Sequence, residues 1–280
     1  MSALGMSRID QFFDKITNLP MLPKVVQEVT IMLNDEDVDY KALANKIDHD
    51  LVLSAKILRL SNSSYYGASR TVKTINEAIG LIGLKNLKTL VVASGVTSAF
   101  TNIQGLDLKR FWRHSLVTAS IARQLCVERK QESETAYIAA LMHSIGQLPI
   151  HIVFPVAGAE VDSMCLGLSV LERKSVEKSV IGLDHCEVGG ELAKRWNFPT
   201  DIQHVIRYYA DPMHENACEL APLVYMASHI SFDIEHGKSA ESIVKTLHPE
   251  VAKILDVDLD ELPENIESYR PFVKEAELYI

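Results

Sequence analysis

The sequence predicts an all-α protein, and three observations carry that prediction. Apolar residues recur at three- and four-residue steps along almost the whole chain, which places them on one stripe of a helix. Strand signals are nearly absent: residues 150–153 form the one short β-branched run, and Pro149 and Pro155 bracket it too closely for a central strand. The pair Thr74 and Glu77 has the spacing of a capping box, in which each side chain satisfies the other's orphan amide at a helix start.

Taken in order, the first helix is expected over residues 23–33, opened by Pro23, with Val25, Val26, Val29, Met32 and Leu33 on one stripe. Ile47, Leu51, Ser54, Ala55, Leu58 and Leu60 continue the spacing, and Ser61, Asn62, Ser63 and Gly67 supply turn chemistry. After the Thr74 cap come Ala78, Ile79 and Ile82, with Gly80 and Gly83 expected to mark a close helix contact and a helix end. Residues 84–100 are apolar and rich in small side chains, as suits the middle of a bundle. Polar residues and Gly105 at 101–107 make a seam. Further helices are expected over 108–129, 133–144, 168–180, 185–197, 201–208 and 218–236. The tail carries short helices around a solvated loop at 256–261. The domain division that follows is 1–104, 105–236 and an acidic helical tail at 237–280. There is no internal repeat and no low-complexity segment.

The chain has 280 residues, a formal charge of −9 and 47% hydrophobic positions, enough to bury a core without staples. Intrinsic disorder and small disulfide scaffolds are excluded. The charge is uneven: residues 1–100 sum to +1 and residues 101–280 to −10. With no basic run, nucleic acid is not expected as a partner. Cys126, Cys165, Cys186 and Cys218 lie 39, 21 and 32 residues apart, so no close pair suggests a zinc knuckle or redox motif, and reduced, mostly buried thiols are expected. No apolar stretch approaches the ~20 residues of a spanning helix, and the N-terminus lacks signal-peptide character. A cytoplasmic protein without membrane insertion is expected.

Ten histidines in an acidic helical chain invite a search for a metal site. His49, His214, His236 and His248 sit beside charged or turn residues and are expected to be exposed and idle. His114, His143 and His185 sit among apolar neighbours, where an imidazole needs a hydrogen-bond partner or a metal. Spacing leaves both readings open. The cysteines lack a clear histidine partner, and Gly189-Gly190 does not follow a strand as a phosphate-cradling loop would. Arg59, Asn62, Tyr65 and Tyr66 form a polar and aromatic cluster expected to tie its turn to the second subdomain.

The run Phe111-Trp112-Arg113-His114-Ser115, followed by Ala139-Ala140-Leu141-Met142-His143-Ser144-Ile145-Gly146, resembles the HD superfamily of metal-dependent phosphohydrolases. More particularly the chain resembles the HDOD family, the HD-related output domains of bacterial signalling. The resemblance extends from Leu19-Pro20-Met21-Leu22-Pro23 through Leu58-Arg59-Leu60-Ser61-Asn62-Ser63 with Tyr65, Tyr66 and Gly67, and Thr74-Ile75-Asn76-Glu77-Ala78-Ile79 with Gly83. It continues in Gly182-Leu183-Asp184-His185-Cys186-Glu187-Val188-Gly189 and Trp196-Asn197-Phe198-Pro199, covering about residues 10–235. It implies an N-terminal helical bundle packed on an HD-like helical bundle.

In catalytic HD enzymes a His, an adjacent His-Asp pair and a later Asp hold divalent metal. Here His114 and His143 match, while Ser144 stands at the paired Asp and Ser228, in Val224-Tyr225-Met226-Ala227-Ser228-His229, aligns with the last one. Two imidazoles and two hydroxyls bring no negative charge to a dication, and without a metal no bound water is activated. Asp184 beside His185 offers a candidate pocket, although an acid at a helix start caps the backbone. The resemblance therefore implies a non-catalytic signalling module with no cofactor. Its partners would be proteins of a bacterial signalling pathway, with a possible nucleotide or cyclic-dinucleotide link. Two alternatives stay open: a divalent-metal phosphohydrolase with His114, His143 and His185 as ligands, and a small-molecule receptor using the vestigial pocket.

Overall fold

The structure is a computed structural model that describes residues 7–17, 19–32, 39–63, 66, 70–129, 133–278 and 280. Leu33, Tyr65 and Gly67, named above, lie outside them. Every regular element among the described residues is a helix, and the fold is that of an HD-like helical protein. The order is α1 (Arg8–Phe13), α2 (Lys24–Ile31), α3 (Tyr40–Asp48), α4 (Leu51–Ser61), α5 (Ile75–Ala99), α6 (Leu108–Glu128), α7 (Ser133–Leu141), α8 (Gln147–Val153), α9 (Pro155–Met164), α10 (Val170–Val180), α11 (His185–Arg195), α12 (Thr200–Tyr208), α13 (Leu220–Glu235), α14 (Ala240–Thr246), α15 (Pro249–Ile254), α16 (Leu262–Tyr269) and α17 (Phe272–Ala276).

The N-terminal helices pack around α5. Pro23 precedes α2, whose Val25, Val26 and Val29 are buried. The stripe expected over residues 47–60 is split between α3 and α4, because Asp50 caps a new helix by accepting from the Leu53 amide. That break turns Leu51 and Ala55 outward, with Leu51 80% exposed, while Leu53, Ile57 and Leu60 take the core positions. Thr74 caps α5 as the spacing predicts, accepting from the Glu77 amide at 3.1 Å, whereas the Glu77 carboxylate reaches back to the Lys73 amide at 2.8 Å. Gly83 breaks α5 with φ +79°, a conformation that costs a side-chain-bearing residue dearly. The close helix contact is not at Gly80, which faces open space, but at Gly95, where a Cβ would lie 2.4 Å from a methyl of Val26.

Helix α5 is, by length and composition, apolar enough to cross a membrane, which corrects the expectation that no such stretch exists. Its apolar window is 61% buried and residues 87–97 lie inside the bundle, so this apolarity faces other helices.

A turn at Gln104 and Gly105 leads to Asp107, which caps α6 by accepting from the Arg110 amide at 3.0 Å. Helix α6 packs against α7 and α13, and one continuous apolar cluster runs from Phe12 to Ala276 through both halves. Two of the motifs quoted above meet across the halves: Trp196 Nε1 donates to the Pro20 carbonyl at 3.1 Å, and its ring leans on Phe100. Two helices, α8 and α9, occupy the segment flagged only as a β-branched run between prolines. Pro149 and Pro155 both fall in first turns, where the missing amide hydrogen is not needed. The helix expected over 133–144 stops at Leu141, and residues 142–146 form a turn. In the cluster after α4, Asn62 is engaged locally and Arg59 reaches across to the tail. Asn62 exchanges hydrogen bonds with Val72 at 2.7 and 2.8 Å, and Arg59 reaches the Leu278 carbonyl in the tail.

Candidate functional site

The turn at 142–146 places His143 and Ser144 in the interior. Gly146 allows it: a Cβ there would lie 2.0 Å from the His185 carbonyl oxygen and 2.5 Å from the Gly189 nitrogen, so only glycine lets the turn press on the start of α11. Helix α6 brings His114 from one side and α13 brings Ser228 from another. The Ser228 hydroxyl lies 3.4 Å from Nε2 of His114 and 3.4 Å from Nε2 of His143.

The outer nitrogens fix both rings. His143 Nδ1 donates to the Ala140 carbonyl at 2.6 Å, leaving Nε2 as the acceptor toward Ser228. Burial, reinforced by the neighbouring His114, holds His143 well below the ordinary histidine range, so it is neutral. His114 Nδ1 meets the Glu235 carboxylate at 2.8 Å, and Arg113 joins Glu235 to Glu277 at 3.4 and 3.2 Å. Ser144 is buried in the turn at 4% exposure.

His185 is held differently. Its Nδ1 and its backbone amide both bond Glu177 Oε2, at 2.6 and 2.8 Å, and its Nε2 meets the Tyr209 hydroxyl at 2.7 Å. The Tyr209 ring stands edge-on to His143, with centroids 4.9 Å apart, and so separates the two histidines. Burial alone would strip His185 of its proton, but the Cys186 sulfur and the Glu177 carboxylate beside the ring outweigh it and raise its pKa well above the usual value. Glu177 is pulled the other way: burial would raise it, while His185 and Arg173 outweigh burial and hold it at about 2. Arg173 spans Glu177 at 2.8 Å and Asp162 at 2.6 Å, closing a buried ladder of charges. Asp184 is consumed as the cap of α11, in a full capping box with Glu187, and Lys178 approaches it at 3.2 Å.

The structure thus brings His114, His143 and Ser228 together, and sets His185 and Asp184 apart in a separate polar cluster behind Tyr209. Glu177, Arg173, Asp162, Tyr209 and Glu235 were not singled out from the sequence. The one available hint was the Arg173–Glu177 spacing of four residues, which on an exposed helix is unremarkable.

A hard divalent cation does not fit these residues. Around Ser228 the donors are two imidazole nitrogens and one hydroxyl, and the nearby carboxylate of Glu235 is engaged on the far nitrogen of His114. His185 has both ring nitrogens occupied. Among the described residues no group of three or more His, Cys, Asp or Glu side chains is placed to hold a metal ion. His49, His214, His236 and His248 are all exposed. Of the thiols, Cys126, Cys165 and Cys186 are buried, Cys218 is half-buried, and none is in a disulfide.

The HDOD domain family model matches residues 19–212, and the chain belongs to that family. A solved HDOD domain protein of unknown function from Geobacter sulfurreducens is 25% identical with a TM-score of 0.80, the match covering 96% of each chain. A candidate phosphohydrolase from Shewanella amazonensis SB2B is 29% identical with a TM-score of 0.79, covering 96% of this chain and 98% of that one. An uncharacterised protein of Treponema pallidum (strain Nichols) is 25% identical over 219 residues, which is 75% of this chain and 41% of that protein. The chain therefore spans about two fifths of the length of that relative.

Proposed function

We propose that this protein is a non-catalytic bacterial signalling module that acts in the cytoplasm by binding other proteins, its HD site kept as a polar support and holding no cofactor. The observation that carries the reading is Ser228 seated between the two Nε2 atoms of His114 and His143, where a hydrolase of this superfamily has a carboxylate. Membership of a family of signalling output domains supports the signalling role. The buried, fully bonded state of His143 and His185 supports a structural duty for both.

The competing reading is a divalent-metal phosphohydrolase, favoured by the 29% identity to the Shewanella amazonensis protein. Purified protein incubated with manganese or nickel, then desalted, analysed for metal and assayed on p-nitrophenyl phosphate, separates the two. The expected result is substoichiometric metal and no turnover. Stoichiometric metal with turnover that disappears in His143→Ala would overturn the proposal.

A further inference from the structure

Between Asp162 and Glu172 the chain runs Ser-Met-Cys-Leu-Gly-Leu-Ser-Val-Leu without a charge, and this stretch forms the exposed tip of the α9–α10 hairpin. Met164 is 50% exposed, Leu166 77%, Leu168 37% and Leu171 48%. Together they leave on the order of 400 Å² of apolar surface in water, a patch size that on monomers is often functional.

The tip is a built turn. Gly167 takes φ +81°, and the Leu168 amide donates to the Cys165 carbonyl at 3.1 Å, while Cys165 is buried beneath. Ser169 and Glu172 close a full capping box at the start of α10. The legs of the hairpin are bridged by Arg173 and Asp162 at 2.6 Å. Holding apolar side chains outward in a fixed geometry lowers the ordering cost of binding. The same Arg173 continues through Glu177 to His185, so the hairpin is anchored in the buried charge ladder.

We infer that this tip is the docking surface for a partner protein, which receives Leu166 and its neighbours in an apolar groove bordered by lysine or arginine. The inference rests on the protein-binding function proposed above. The border follows from charge: no lysine or arginine occurs from residue 131 to 172, the exposed Glu160 and Glu172 flank the tip, and the first base along α10 not spent in the ladder, Lys174, is half-buried. A second copy fits poorly, since two acid-flanked tips repel each other. For an anionic lipid surface the tip offers only the paired Arg173 and the half-buried Lys174.

A benzophenone amino acid placed at position 166 of the intact protein, irradiated in the native host, is the probe. The expected adduct is with one discrete protein. That protein, once purified, should bind Leu166→Asp and Leu171→Ser at least about tenfold more weakly than wild type, with circular dichroism and melting temperature of both variants unchanged. Glu160→Lys should weaken binding and flatten its salt dependence. The inference is overturned by absence of an adduct, by an adduct with a second copy or with lipid, or by equal affinity of the variants. Turnover in the metal assay would sink the non-catalytic reading and leave this affinity ratio untouched, so the two failures are distinguishable.

Discussion

Replacing Glu177 with glutamine tests the buried charge ladder directly. The carboxylate is 1% exposed and receives Arg173 Nε at 2.8 Å, His185 Nδ1 at 2.6 Å and the His185 amide at 2.8 Å. Glutamine keeps an acceptor but removes the charge that Arg173 and His185 were buried against. A carboxyl held at about 2 against an ordinary 4.5 contributes about 3 kcal/mol at neutral pH, in line with the ~3–5 kcal/mol lost when one partner of a buried pair is removed. For a chain of this length that is a fall in melting temperature on the order of 6–12 °C. Urea unfolding across a pH series reads both the size and the sign. Below pH 4.5 the unfolded chain takes up a proton that folded Glu177 refuses until about pH 2, so wild-type stability drains through that window, and Glu177→Gln lacks this share. His185 has the opposite sign: its folded pKa lies well above 6.5, so its contribution is complete below pH 6.5 and is lost as pH rises past it. Stability of Glu177→Gln within about 0.5 kcal/mol of wild type at pH 7, or an acid limb as steep as before, would refute the reasoning.

Three further outcomes are expected. His143→Ala should lose about 1–3 kcal/mol by denaturant unfolding, equally with chelator and with added manganese; a chelator effect on wild type alone would contradict the structural role of that ring. Gly146→Ala drives a Cβ onto the His185 carbonyl and the Gly189 nitrogen, backbone atoms that cannot move aside, and should cost more than about 2 kcal/mol or prevent soluble expression; a fully stable variant would contradict the close approach. Asn62→Ala removes both halves of the bridge to Val72 and should lower stability by about 1–2 kcal/mol, with faster hydrogen exchange at the Val72 amide, and unchanged exchange would count against that bridge.

The all-α class was legible because helix periodicity and capping are local. Thr74 caps α5, and Leu108–Glu128 and Leu220–Glu235 fall within a few residues of the stretches read from periodicity alone. Local reading failed where a distant contact intervened. Asp50 splits the stripe expected over 47–60, and Gly146, pressed on α11, stops α7 short of His143. Helices α8 and α9 were missed because prolines read as breakers when their position in a first turn is unknown. Glu177 was invisible for a related reason: on α10 it has the spacing of an ordinary surface ion pair, and only the fold buries it.

By itself the sequence determined that the chain is helical and that it matches the HDOD pattern, because composition, period and motif are properties of the chain alone. The tertiary structure decided which of the polar residues meet. Ser228 falls between His114 and His143 because α6, α13 and the turn after α7 converge there, while Tyr209 walls off His185 and hands it to Glu177. The two Ser228 pairings join residues 114 and 85 positions apart, and no local spacing encodes them.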